Sequence, residues 1–184
     1  MFRFFFKQTV TIVLAIAMVL VISGQSRLYA DDHTVENKIK VAYLYNLLKF
    51  VWWPESVLAA DKSEITICLL GQNQLGPYLD PITQMTAQGR NITITPISNV
   101  SQARDCQLLF ISASEANNLP QIMDGLKDAH YLTVSEVENF AAKGGMIGFA
   151  FKEGKVVLEI NTQATHKANL EISAKLLEVA NIIK

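Results

Sequence analysis

The chain has 184 residues, half of them hydrophobic and 18% charged, enough to bury one core and too apolar for a disordered tail. Lys and Arg number 16 and Asp and Glu 17, a net charge of −1 that lacks the basic excess needed to displace counterions from a nucleic acid.

The first element is an export signal. Met1–Thr9 carries Arg3 and Lys7 and no acid. Val10–Ile22 is then aliphatic, Ala or Met apart from Thr11, and Leu28-Tyr29-Ala30 precedes Asp31-Asp32. A basic start, an apolar run and a polar stretch ending in a small residue are the order of a secretory signal peptide. The run is shorter than the roughly 17–20 residues that span hydrocarbon. Residues 1–30 are therefore read as a leader cleaved after Ala30, with no membrane insertion afterwards. Cleavage removes Arg3, Lys7 and Arg27 and no acid, taking the net charge to −4, and no nucleic-acid partner is expected.

Residues 31–184 are expected to form one α/β domain. Thr34 is placed to cap a helix over Val35–Trp52, where Ile39, Tyr43, Leu47, Phe50 and Val51 recur at helical spacing before Pro54. Ile65–Leu70 reads as a buried strand closed by Gly71, and Leu75–Thr86 as a helix with Pro77 in its first turn. Strands are expected over Asn91–Ile97, Gln107–Ile111 and Tyr131–Val134, with helices over Glu115–Lys127 and Ser135–Lys143. This alternation predicts a mainly parallel sheet flanked by helices. Met146–Phe151 and Val156–Ile160, joined by Lys152-Glu153-Gly154-Lys155, predict an antiparallel edge hairpin at the C-terminal end of the sheet. Leu170, Ile172, Leu176, Leu177, Val179 and Ile183 predict a closing helix.

Two cysteines, Cys68 and Cys106, remain after export. An even count in an oxidising compartment favours a disulfide, against two buried thiols or a redox-active pair. Catalytic patterns are sparse. Gly71–Gly76 follows a strand but is followed by Pro77-Tyr78 rather than the Lys-Ser/Thr of a phosphate loop. His33, His130 and His166 have no metal-ligand spacing, and no GxSxG frames a serine. No catalytic residue, metal or cofactor is assigned.

Two segments stand out. Lys40–Pro54 (KVAYLYNLLKFVWWP) carries five aromatics, more than one core-facing stripe needs. A helix buried on most sides accounts for them, as does an aromatic groove built on Tyr43, Asn46 and Phe50. Phe140–Phe151 (FAAKGGMIGFAF) leads into the hairpin. In strand geometry Met146, Gly148 and Ala150 face one way and Ile147, Phe149 and Phe151 the other. A helix covers one row of an edge hairpin more readily than both. Met146, Ile147, Phe149 and Phe151 are therefore the candidate partner surface.

These segments, with ICLLG at Ile67–Gly71, CQLLFIS at Cys106–Ser112, VLEIN at Val157–Asn161 and the closing SAKLLEVA, resemble the YfiR family along essentially the whole mature chain. The resemblance implies a small, non-enzymatic periplasmic protein of a Gram-negative bacterium. It would restrain a membrane-bound diguanylate cyclase by binding its periplasmic sensor domain. It also implies a structural Cys68–Cys106 disulfide and release of the restraint by an outer-membrane lipoprotein or a redox change. Some members carry a second cysteine pair near the C-terminal hairpin; this chain has none there, which removes the basis for a redox switch built on it. The expected partner is a sensor domain or a second copy of the chain. A periplasmic small-ligand-binding protein is the alternative reading.

Overall fold

The computed structural model describes residues 33–72 and 74–183. The expected leader, residues 1–30, lies outside them. The chain divides after Glu36. Of the first unit, residues 33–36 are described as one helical turn, with His33 Nδ1 3.7 Å from Glu36 Oε2.

In the second unit the first helix (α1, residues 37–50) has Val41, Leu44, Leu47 and Leu48 buried at three- and four-residue spacing. It stops before Pro54, because Val51–Trp52 (β1) pairs antiparallel with Glu171–Ile172 (β9). Gln88, at φ 52°, closes this end: its Nε2 donates to the carbonyls of Leu48 at 2.9 Å and Val51 at 2.8 Å. Carbonyls at a helix C-terminus have no partner within the helix, so a distant side chain supplies one.

The remaining strands are Glu64–Leu70 (β2), Thr86–Ala87 (β3), Arg90–Ile97 (β4), Leu108–Ile111 (β5), Leu132–Ser135 (β6), Ile147–Lys152 (β7), Lys155–Asn161 (β8) and Asn181–Ile183 (β10). Among the described residues they form one eight-stranded sheet in the order β10-β8-β7-β6-β5-β2-β4-β3. Strands β4, β2, β5, β6 and β7 run parallel, β3 is antiparallel to β4 and β8 to β7, and β10 runs parallel to β8. The mainly parallel α/β fold expected from the sequence is therefore present.

Alternate side chains of the strands enter opposite layers, as the two-residue strand period requires. Ile65, Ile67, Leu69, Leu108 and Phe110 pack with α1 and with Gly76–Thr83 (α2). Cys68, Leu70, Leu109 and Ile111 pack on the other face, against the 3-10 turn Val100–Asp105 (η1) and Leu119–Gly125 (α3). A fully buried aliphatic side chain contributes about 1.5–3 kcal/mol, so these two layers supply the main stabilisation.

Three expectations need correction. The expected closing helix is broken into β9, Ala174–Leu177 (α5) and β10. Open strand edges at β1 and β8 accept backbone bonds from it, whereas a continuous helix would leave those edges bare. Ser135–Lys143 is a series of turns. Ser135 completes β6, its Oγ donating to the Ile111 carbonyl at 2.8 Å and accepting from Val137 N at 3.0 Å, and Asn139 takes φ 59°. Glu115–Lys127 is split between a 3-10 turn, Ala113–Asn118 (η2), and α3. The β7–β8 hairpin stands at the C-terminal end of the sheet as expected, with the three residues of β10 alongside β8.

Candidate functional site

Parallel sheets bind ligands at the carboxyl ends of their strands, where consecutive strands leave in opposite directions. Here that point lies between β2 and β5: β4 follows β2 on one side and β5 returns on the other. The crevice is stitched by hydrogen bonds. Ser112 Oγ donates to the Gln72 carbonyl at 2.6 Å, Ser112 N to Leu70 O at 3.0 Å, and Gln72 N to Ser114 Oγ at 2.9 Å. Gly71 has φ 91°, and a Cβ there would stand 2.6 Å from Ser114 Oγ, so this tight approach needs glycine.

Beside it lies a largely buried ion pair that sequence reasoning missed. Lys40 Nζ of α1 donates to Glu136 Oε2, just after β6, at 2.7 Å, with the side chains 11% and 12% exposed. The other carboxylate oxygen accepts from Ala113 N at 3.2 Å, at the start of η2. One carboxylate thus joins α1, β6 and η2. No local sequence signal announces a pair 96 residues apart.

The residues singled out by sequence fare differently. Cys68 and Cys106 are bridged, with Cα atoms 5.9 Å apart and both cysteines 2% exposed. Tyr43 is half-buried, its ring centroid 6.0 Å from that of Phe149, so the aromatic helix and the hairpin meet. Phe50 packs on the same core, and Asn46 is half-buried on the same helix. Lys49 Nζ lies 5.2 Å from the Tyr45 ring centroid and 5.6 Å from that of Phe50, a cation–π arrangement.

The candidate partner surface is corrected. Met146, Ile147 and Phe149 are buried, because α1 covers one face of the hairpin base and the chain before β7 covers the other. Phe151 alone stays open, 56% exposed near the hairpin tip. Trp52 is exposed on β1.

Two cavities lie away from the carboxyl ends. One, of about 400 Å³, is lined by Val57, Lys62, Arg104, Asp128, His130 and Tyr131 among others. Burial holds the Tyr131 phenol above its usual pKa, and the Arg104 charge opposes this. The second, of about 230 Å³, lies between α3, the 144–146 turn and Thr162–Lys167 (α4). Neither is lined by Tyr43, Asn46 or Phe50. Lys127 at the second is paired with Asp124 at 2.8 Å, and that hydrogen bond raises its pKa. Among the described residues no group of three or more His, Cys, Asp and Glu side chains gathers as a metal site would, and no helix is long and apolar enough to cross a membrane.

No curated protein sequence matches the chain significantly. Among solved structures it is similar to an ABC domain in complex with L-Trp from Streptococcus pneumonia, with 9% identity and a TM-score of 0.49, over 65% of this chain and 55% of that one. It is also similar to a conserved domain protein from Vibrio cholerae, with 12% identity and a TM-score of 0.46, over 70% of this chain and 57% of that one. The chain thus spans little more than half the length of either, and at these scores the likeness assigns it no ligand or activity. The YfiR/HmsC-like family profile matches residues 37–181, which takes in α1, the bridged cysteines and the hairpin. The chain belongs to the YfiR/HmsC-like family.

Proposed function

We propose that this protein is a non-enzymatic periplasmic regulator that restrains an inner-membrane signalling protein, a diguanylate cyclase, by binding its periplasmic sensor domain. The observation that carries this reading is family membership across nearly the whole described chain. The bridged Cys68–Cys106 pair supports export to an oxidising compartment. Such a regulator acts by differential affinity: it binds the inactive state of the cyclase more tightly and shifts the population toward it. Among the described residues Phe151 and Trp52 are exposed aromatic side chains suited to such a contact. An outer-membrane lipoprotein that competes for the regulator would lift the restraint.

The test is deletion of the gene with measurement of cellular cyclic di-GMP, together with crosslinking of the exported protein in membranes. A rise in cyclic di-GMP, reversed by the intact gene and not by a leaderless version, and a crosslink to a cyclase sensor domain are expected. Unchanged cyclic di-GMP with no membrane-protein crosslink would overturn the proposal.

A further inference from the structure

The open cleft that Tyr131 shares with Arg104 lies at the amino ends of the parallel strands, opposite the Ser112 crevice, and is independent of the regulatory contact proposed above. Its residues come just ahead of three strands: Lys62 before β2, Arg104 and Asp105 before β5, and Asp128 and Tyr131 before β6. Parallel strands start side by side, so the sheet gathers these distant polar residues at one end.

Tyr131 is only 8% exposed, yet its hydroxyl has no hydrogen-bond partner among the described residues. No fully enclosed side-chain oxygen or nitrogen of a buried residue lacks a partner among them, so Tyr131 Oη is not sealed in the core. It opens into the cleft that Tyr131 lines, a donor fixed by its buried ring. Burial raises the pKa of this hydroxyl and the Arg104 charge opposes the rise, with no carboxylate acting on it. The Arg104 side chain has no ion pair or hydrogen bond among the described residues. Lys62, half-buried, donates to the Asp105 main-chain carbonyl at 3.4 Å and pairs with no carboxylate there. A guanidinium and a hydroxyl without acceptors suit a carboxylate, which arginine binds through two parallel N–H groups. The opposite wall limits the ligand's charge. Asp105 and Asp128 balance Lys62 and Arg104, so a second negative charge on the ligand is repelled. Val57 and the Tyr131 ring offer apolar surface to a short chain.

We propose that this cleft binds a small monocarboxylate, whose oxygens accept from the Arg104 guanidinium and Tyr131 Oη. The probes are butyrate, butyramide, which keeps the shape without the charge, and inorganic phosphate, which is largely dianionic above neutral pH. Amide NMR titrations of the mature protein at constant ionic strength should show saturable butyrate shifts at Arg104 and at residues 128–131. Butyramide and phosphate should each bind roughly tenfold more weakly, the discrimination of about one charge-assisted hydrogen bond. Arg104→Gln should weaken butyrate by a similar factor, and Tyr131→Phe severalfold. Arg104 is exposed and Tyr131→Phe keeps the ring, so neither change opens the core. Asp128→Asn should instead tighten phosphate more than butyrate, because the repulsion it relieves is larger for the dianion. The proposal is overturned by any of four results: butyrate shifts that do not saturate, butyramide or phosphate binding as tightly as butyrate, butyrate affinity unchanged in Arg104→Gln or Tyr131→Phe, or phosphate affinity unmoved by Asp128→Asn.

Discussion

Lys40 Nζ and Glu136 Oε2 are 2.7 Å apart, and the pair fastens α1 to the carboxyl end of β6 in a largely buried setting. Removing one partner of a buried pair strands the other charge, at a cost of about 3–5 kcal/mol. Lys40→Met should therefore destabilise by about that amount. In the double variant Lys40→Met/Glu136→Gln, the amide oxygen can still accept from Ala113 N and the Glu136 carboxylate charge is removed together with its Lys40 partner. Urea melts should show most of the stability restored; equal losses in the single and double variants would mean that the pair does not work as a unit.

The Cys68–Cys106 bridge spans a sequence separation of 38 and ties β2 to the end of η1. In the chain-entropy model, closing a loop of this length stabilises by about 4 kcal/mol. The double variant Cys68→Ser/Cys106→Ser should lose about 2–5 kcal/mol in denaturant melts. Both cysteines are buried, so folded protein should resist mild reductant, and thiol labelling should appear only after unfolding.

Gln107 is fully buried and joins three segments. Its Nε2 donates to Val57 O at 3.0 Å and Asp105 O at 3.3 Å, its Oε1 accepts from Thr66 N at 2.8 Å, and its backbone carbonyl accepts from Trp53 Nε1 at 2.7 Å. Gln107→Leu keeps the volume but leaves Thr66 N and Val57 O without these partners. A loss of about 1–3 kcal/mol is expected, with Trp53 fluorescence reporting any local shift.

Burial raises the Tyr131 pKa, with Arg104 as the opposing influence, so the folded protein holds the phenolic proton to higher pH than the unfolded chain. The stability tied to this proton is complete below about pH 10, the ordinary phenol value, and is lost as pH rises through the folded pKa. Urea melts across this range should show a shallower alkaline loss for Tyr131→Phe than for the unaltered protein. Parallel curves would show that another group sets the alkaline limit.

Local periodicity was enough to read much of the fold. The apolar runs Ile65–Leu70 and Gln107–Ile111 announce buried strands, and their alternation with helical segments announces a parallel sheet. The cysteine pair and the motifs of α1 and the hairpin were also legible, because each is carried by neighbouring residues or by composition. Tertiary structure decided what depends on distant partners. A helical spacing over residues 170–183 gave way to β9 and β10 because β1 and β8 offered backbone bonds that no local pattern reveals. The hairpin row Ile147 and Phe149 was legible as apolar, but burial came from Tyr43 and the rest of α1. Lys40, Gln88 and Gln107 look like ordinary polar residues in the sequence; they acquire structural roles only when the fold brings a carboxylate, a helix end or an unpaired backbone amide within hydrogen-bond reach.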